Sequence, residues 1–272
     1  MESTKVLFIS QEITPYLPES EMSLICRNLP QGIQERGKEI RTFMPKFGCI
    51  NERRNQLHEV IRLSGMNLII NDSDHPLIIK VASIQSARMQ VYFIDNEDYF
   101  ARKYTLANVN GEPFLDNDER SIFFNRGVLE TVRKLRWSPD IVHCHGWFTG
   151  LIPLLIKKAF KHDPLFVNSK VIYSVYNDDF LVPLHKGFKN KILIDGIGKK
   201  DLTILENPDY LNISKLAIQY SDGIIIANGK VSPVVQEYIT SLGKSCLLYK
   251  GNDDYIDEYA QFYETILAKD DD

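Results

Sequence analysis

A chain of 272 residues, 44% hydrophobic and 25% charged, holds enough apolar material for a sizeable core and reads as one large globular domain with an insertion. Its formal net charge of -4 offers no basic surface to a phosphate backbone or an anionic membrane, which argues against nucleic acid and membrane partners. The first apolar run, Val6 to Ser10, is too short for a signal-peptide core or a membrane span, so a cytoplasmic location is expected.

Lys5 to Ser10 is a continuous β-branched and apolar run, the pattern of a strand buried on both faces of a parallel sheet. Met22, Ile25, Cys26, Leu29 and Ile33 then recur at helical steps, and Gly37 follows as a stop. Ile40 to Met44 completes an opening βαβ unit. From Gln56 to Asp95 the pattern changes to short alternating runs, His58 to Leu63, Met66 to Ile70, Leu77 to Ile84 and Met89 to Ile94. These predict a small antiparallel insertion with its main turn at Ser73 to Pro76. A long acidic and aromatic loop, Asn96 to Asp118, closes the irregular region 56–118, and its length points to a functional role.

Regular alternation then resumes. Helices are expected at Ile122 to Leu135, Trp147 to Phe160, Asn212 to Tyr220, Ser232 to Ser241 and Asp253 to Leu267, the last ahead of a solvated tail ending Asp270-Asp271-Asp272. Strands are expected at Asp140 to Cys144, Lys170 to Tyr176 and Gly223 to Ala227. The fold class is therefore α/β, a Rossmann-like doubly wound parallel sheet, in which ligands bind beyond the carboxyl ends of the strands.

Several stretches at those ends carry a resemblance. They are Val6 to Tyr16 with Glu12 and Pro15, the Leu29-Pro30 and Arg36-Gly37 pairs before Phe43 to Gly48, and Gly111 to Phe114 running through Asp118-Glu119-Arg120 to Phe124. Pro139 to Trp147 and Leu211 to Lys215 follow in order. Together they resemble the N-terminal domain of bacterial glycogen synthases and plant starch synthases, glycosyltransferases of the GT-B fold. The resemblance implies that residues 1–272 form the glucan-acceptor half, and that the C-terminal half carrying most ADP-glucose contacts is absent. Two such halves need upwards of about 400 residues.

Three departures from the family pattern are visible. The family's Lys-x-Gly-Gly-Leu motif, counted from Glu12 and Pro15, falls on Pro18, Ser20, Glu21 and Met22. Proline supplies no cation, and Glu21 sets negative charge beside the donor phosphates, which puts ADP-glucose binding in doubt. Where the family has an aspartate between histidine and tryptophan, this chain has Gly146. The family's His-Asn pair is Tyr176-Asn177; a phenol with a pKa near 10 replaces imidazole poorly, while Asn177 can still hold a sugar hydroxyl.

The resemblance makes Glu12, Tyr99, His143, His145, Trp147, Asn177 and Lys215 candidates for a glucan cleft, and leaves Pro18, Gly146 and Tyr176 as degenerate catalytic positions. His143 and His145 share one strand face while Cys144 takes the other. No third ligand of suitable spacing accompanies them, so no metal is assigned, and no cofactor is implied. Trp147, Tyr99, Phe100 and Tyr104 have two readings, a sugar-stacking platform or packing of a loop over the core. The loop acids Asp95, Glu97, Asp98, Asp116, Asp118 and Glu119 read as solvated charge, and Asp195 to Gly198 as a turn. Cys26, Cys49, Cys144 and Cys246 lack Cys-x-x-Cys spacing and sit mostly in apolar surroundings, as buried free thiols would.

The expected function is thus a non-catalytic glucan- or partner-binding module. The alternative is an active ADP-glucose-dependent α-1,4-glucan glucosyltransferase, acting alone or with a separately encoded donor domain. A third reading is a scaffold whose cleft is closed by the Pro18 to Met22 loop.

Overall fold

The computed structural model describes residues 3–249, 251 and 254–270. Met1, Glu2, the Asp253 helix start and the last two aspartates of the tail lie outside the described residues. The strands are β1 (Lys5–Ser10), β2 (Glu39–Pro45), β3 (His58–Glu59), β4 (Met66–Ile70), β5 (Ser73–Ile84), β6 (Met89–Asp95), β7 (Ile141–His145), β8 (Lys170–Val175), β9 (Gly223–Ile226) and β10 (Ser245–Leu247). They join in the order β10-β9-β8-β7-β1-β2-β6-β5-β3, with β4 on β5. All pairs from β10 to β6 are parallel, and those made by β5 are antiparallel.

The helices are α1 (Glu21–Glu35), α2 (Glu97–Phe100), α3 (Asn117–Leu135), α4 (Ile152–Leu154), α5 (Phe188–Lys191), α6 (Tyr210–Tyr220), α7 (Pro233–Ser241) and α8 (Tyr255–Leu267). Helix α1 begins where its apolar stripe does because Ser20 caps it: the Ser23 N–H donates to Ser20 Oγ at 3.0 Å, and the Ser20 N–H to Ser23 Oγ at 2.8 Å. Gly37 ends the turn after it at φ +80°, a conformation glycine adopts without a Cβ penalty. Helices α1 and α8 pack together on the sheet face that carries Phe8, His143 and His145. Helices α4 and α6 cover the opposite face, joined to α3 through the turn Trp147–Thr149. Strands β1 and β7 are buried along nearly their whole length, as their unbroken apolar sequences require. No helix among the described residues is long and apolar enough to cross a membrane.

The insertion differs in detail from its sequence pattern. Strand β6 pairs parallel to β2 and so belongs to the main sheet, and β5, β4 and β3 are added to it in antiparallel fashion. The hairpin turn lies at Asn71 and Asp72, with φ +49° and +63°, rather than at Ser73 to Pro76, which is already strand. Two consecutive left-handed residues give the twist a two-residue hairpin needs, and Asn and Asp tolerate that region best after glycine. The expected helix Trp147 to Phe160 is a tight turn, the short α4 and then wider five-residue turns over Leu155–Ala159. Helix α3 starts five residues before the expected Ile122 and takes up the end of the acidic loop.

Two expectations about burial are corrected. Asp95 and Asp118 are not solvated: they are 6% and 0% exposed, because Lys80 reaches Asp95 at 2.9 Å and Lys191 reaches Asp118 at 2.6 Å. Cys26 and Cys144 are buried, but Cys49 is exposed, since it sits on the turn that leaves β2. Asp195 and Gly196 do form a turn, and Gly196 is needed there because a Cβ would lie 2.7 Å from the Lys158 carbonyl.

Candidate functional site

Beyond the carboxyl ends of β1, β7 and β8 lies a cavity of about 460 Å³. Its polar wall is Gln11, Glu12, Asp178 and Asp179, and its apolar wall includes Trp147 and Phe180, whose rings meet at 4.7 Å and 58°. The loop between α2 and α3 forms another side through Leu106, Gly111 and Pro113, together with Asn117, the first residue of α3. No Lys, Arg or His lines it among the described residues. A larger groove of about 750 Å³ lies elsewhere, between the β4–β5 turn and α5, and includes Arg126, His185 and Lys191. The strand-end cavity is the better candidate, because open parallel sheets place their ligands there.

The structure brings only part of the sequence-derived set to this cavity. Glu12 and Trp147 line it. Glu12 Oε2 accepts the Ser20 hydroxyl at 2.8 Å, which ties the β1 exit to the cap of α1. Asn177 is exposed beside the cavity without lining it. Tyr99 is 3% exposed, its hydroxyl 2.9 Å from His75 Nε2 and donating to Glu119 at 3.1 Å, so it packs the loop down and presents no platform. Phe100 is fully buried and Tyr104 is exposed. Lys215 lies on α6 with its ammonium 5.2 Å from the Tyr238 ring, away from the cavity.

His143 and His145 share a face, as the alternation requires, with ring centroids 3.9 Å apart, but both are fully buried beneath the site. His143 bonds Tyr263 of α8 at 2.6 Å and Ser174 at 2.7 Å; His145 Nδ1 bonds the Tyr176 hydroxyl at 2.8 Å. His145 Nε2 has no hydrogen-bond partner among the described residues. Burial holds His145 down at about 3 and His143 well below its ordinary value, so both rings are neutral. Tyr176 therefore points inward, and burial raises its phenol well above the usual value. No cluster of three His, Cys, Asp or Glu side chains among the described residues is arranged to hold a metal.

Pro18 is exposed, and its carbonyl accepts from Ser23 Oγ at 3.1 Å. Glu21, in the first turn of α1, accepts hydrogen bonds from Asn228 and, at 3.3 Å, from the Tyr249 hydroxyl. A carboxylate thus stands at the helix end where backbone amides would otherwise favour a phosphate.

Sequence reasoning passed over Asp178. Its Oδ2 accepts the Trp147 N–H at 2.8 Å, and its Oδ1 lies 3.1 Å from the Tyr210 hydroxyl, whose one proton has a shorter acceptor in the Tyr176 carbonyl at 2.7 Å. Burial pushes this carboxyl up to about 6, against the lowering effect of the Trp147 N–H and the nearby hydroxyl. Its place directly after a strand, at the sheet's carboxyl end, was the available signal. Arg120 was also unassigned. It is fully buried, with its Nε donating to the Tyr99 carbonyl at 2.7 Å and its Nη1 to Asn117 at 2.6 Å. Its guanidinium packs on the rings of Phe47, Phe100 and Phe114 at 5.2 to 5.6 Å, which fixes the floor under the Asn117 side of the cavity.

The fold and this strand-end cavity define an α/β domain of the Rossmann-like kind found in GT-B glycosyltransferases. Residues 5–245 match the starch synthase catalytic domain family, and the chain belongs to that family. A glycogen synthase of Chlorobium limicola is 41% identical over 174 residues, covering 64% of this chain and 36% of the relative. One from Chlorobium phaeovibrioides is 34% identical over 226 residues, covering 76% of this chain and 46% of the relative. The catalytic domain of starch synthase IV from Arabidopsis thaliana, solved bound to ADP and acarbose, superposes with a TM-score of 0.72 at 16% identity. That match covers 91% of this chain and 51% of the other, and it establishes the shared fold. The chain spans about half the length of these relatives or less.

Proposed function

We propose that this chain is a glucan-binding module, an acceptor-side glycogen/starch synthase half that does not transfer glucose by itself. The observation that carries this is the strand-end cavity, where the half-buried Phe180 ring packs on Trp147, itself 4% exposed, opposite carboxylates and amides with no cation among the lining. Aromatic faces suit the apolar faces of pyranose rings, and Gln11, Glu12 and Asp178 suit their hydroxyls. Diphosphate recognition, by contrast, calls for positive charge or free helix-end amides. Pro18 supplies neither, and Glu21 opposes both. Gly146 and the inward-turned Tyr176 likewise leave the degenerate positions without a carboxylate or an accessible imidazole.

Native gels containing soluble glycogen test the binding claim. Wild-type mobility should fall with glycogen concentration, and Phe180→Ala should restore it; unchanged wild-type mobility over the full range refutes glucan binding. Incubation with ADP-glucose and glycogen tests the catalytic claim. No turnover is expected, and turnover that disappears in a Tyr176 or Asn177 variant overturns it.

One observation favours a second reading, in which a separately encoded donor domain docks over this end and completes an ADP-glucose-dependent transferase. Val109, Leu115, Leu181 and Val182, on the two loops bordering the cavity, are 73%, 90%, 94% and 53% exposed. Clustered exposed apolar side chains mark interaction surfaces. Mixing the chain with a donor-binding half of a related glycogen synthase should then give both a stable complex on gel filtration and turnover that neither half shows alone.

A further inference from the structure

Gly146 leaves β7 with φ +85°, in the region that favours glycine. A Cβ built on it would lie 2.9 Å from Gln11 Oε1, 2.9 Å from Met22 Cε and 3.1 Å from Asp178 Oδ2. A side chain at residue 146 would therefore crowd Gln11, Met22 and the Asp178 carboxylate together. The carboxylate occupies part of that space, its Oδ2 anchored by the Trp147 N–H at 2.8 Å. Its Oδ1 lies 3.1 Å from the Tyr210 hydroxyl, whose shorter contact is the Tyr176 carbonyl at 2.7 Å.

An ionised carboxylate has about four acceptor positions, and the Trp147 N–H takes one of them on Oδ2. Asp178 lines the cavity, so its remaining positions are available to a ligand. Burial pushes its carboxyl up to about 6, the mark of an anion with less solvation than it would have in water. Further hydroxyl donors from a ligand would restore what burial removes. Glu12 and Asp179 add negative charge to the same wall, which disfavours an anionic ligand.

We infer that Asp178, in the space vacated by a side chain at position 146, is the cavity's hydroxyl-recognising carboxylate and selects uncharged vicinal diols over anionic sugars. This rests on the glucan-binding reading above and assigns its ligand contact to a residue on a different strand end from the one where the family usually carries its aspartate.

Titration calorimetry with maltoheptaose as neutral probe and glucose 1-phosphate as anionic probe tests it. Wild type should bind maltoheptaose and show no measurable heat with glucose 1-phosphate. Asp178→Asn should weaken maltoheptaose binding about tenfold, the effect of losing one charge-assisted hydrogen bond. Gly146→Ala, whose Cβ would crowd Gln11 and Met22 as well as Asp178, should also weaken binding. Melting curves by circular dichroism check the fold. Should Asp178→Asn fail to fold, Asp178→Ser, whose hydroxyl can still accept the Trp147 N–H but carries no charge, should show the same loss.

Unchanged affinity in Asp178→Asn overturns this inference while leaving glucan binding intact. Tighter wild-type binding of glucose 1-phosphate than of maltoheptaose also overturns it. Absence of wild-type binding to maltoheptaose removes the glucan reading itself and this inference with it.

Discussion

Acidification from pH 7 to pH 5 should destabilise the protein through its buried histidine pair. In the fold His145 takes a proton only near pH 3, whereas an unfolded histidine does so near 6.5. The unfolded chain therefore binds the proton first as pH falls, and the stability this ring contributes is complete above about pH 6.5 and is lost on the way down to 3. At pH 5 the loss amounts to about 2 kcal/mol. His143, also held well below its ordinary value by burial, adds a loss of the same sign. Asp178 works in the opposite direction. Its folded carboxyl protonates near 6 against an unfolded value near 3.9, so stability rises as pH falls through that window, by about 1 kcal/mol at pH 5. Asp118, raised by burial, has the same sign as Asp178. Urea denaturation followed by circular dichroism measures the balance. In Asp178→Asn the offset at that site is gone, and with a slope of roughly 3 kcal/mol per molar urea the midpoint should fall by about 0.7 M from pH 7 to pH 5. His145→Asn in the same background isolates the ring, since the two proteins then differ at one position only. An equal change of midpoint on acidification with and without His145 would refute the assignment of a neutral buried imidazole.

Two further perturbations probe the groups beneath and beside the cavity. Arg120→Ala should cost about 3–5 kcal/mol in urea denaturation, because it leaves a void among Phe47, Phe100 and Phe114 and strands the Tyr99 carbonyl and the Asn117 side chain. Arg120→Met, which fills the space without a buried charge, should recover most of that loss. Lys191→Ala should destabilise by about 3 kcal/mol at neutral pH, since it removes the cation 2.6 Å from the fully buried Asp118, and this deficit should shrink at pH 4 as the carboxyl is neutralised.

The central sheet was legible because its strands are buried on both faces. Val6 to Ser10, Ile141 to His145 and Lys170 to Val175 carry no polar face to confuse with a helix, and the helices between them have their own caps and stops. Local chemistry explains where the reading slipped. The β4–β5 turn depends on Asn71 and Asp72 entering the left-handed region, while Pro76 sits within β5 opposite Asn67, so the polar cluster that looked like a turn is one residue group too late. Helix α3 reaches back to Asn117 because Lys191, more than seventy residues away, neutralises Asp118 and Glu119, and no local pattern reports such a partner. Strand β10, three residues long, has no period of its own and exists because β9 offers it an edge.

For the cavity, the family resemblance read at the strand ends supplied Glu12 and Trp147, which the exits of β1 and β7 bring to its lining. It could not say which way a side chain at a strand end turns. His143 and His145 lie under the cavity because α8 brings Tyr263 onto their face, and Tyr176 turns inward because His145 offers it a nitrogen. Asp178 illustrates the harder case. Within Asn177-Asp178-Asp179 an acid reads as ordinary turn chemistry, and its half-buried place becomes apparent only when Gly146, at the exit of another strand, is seen to leave room for it and the Trp147 N–H to donate to it. A missing side chain in one segment and a carboxylate in another are each weak signals, and the volume they share exists only in three dimensions.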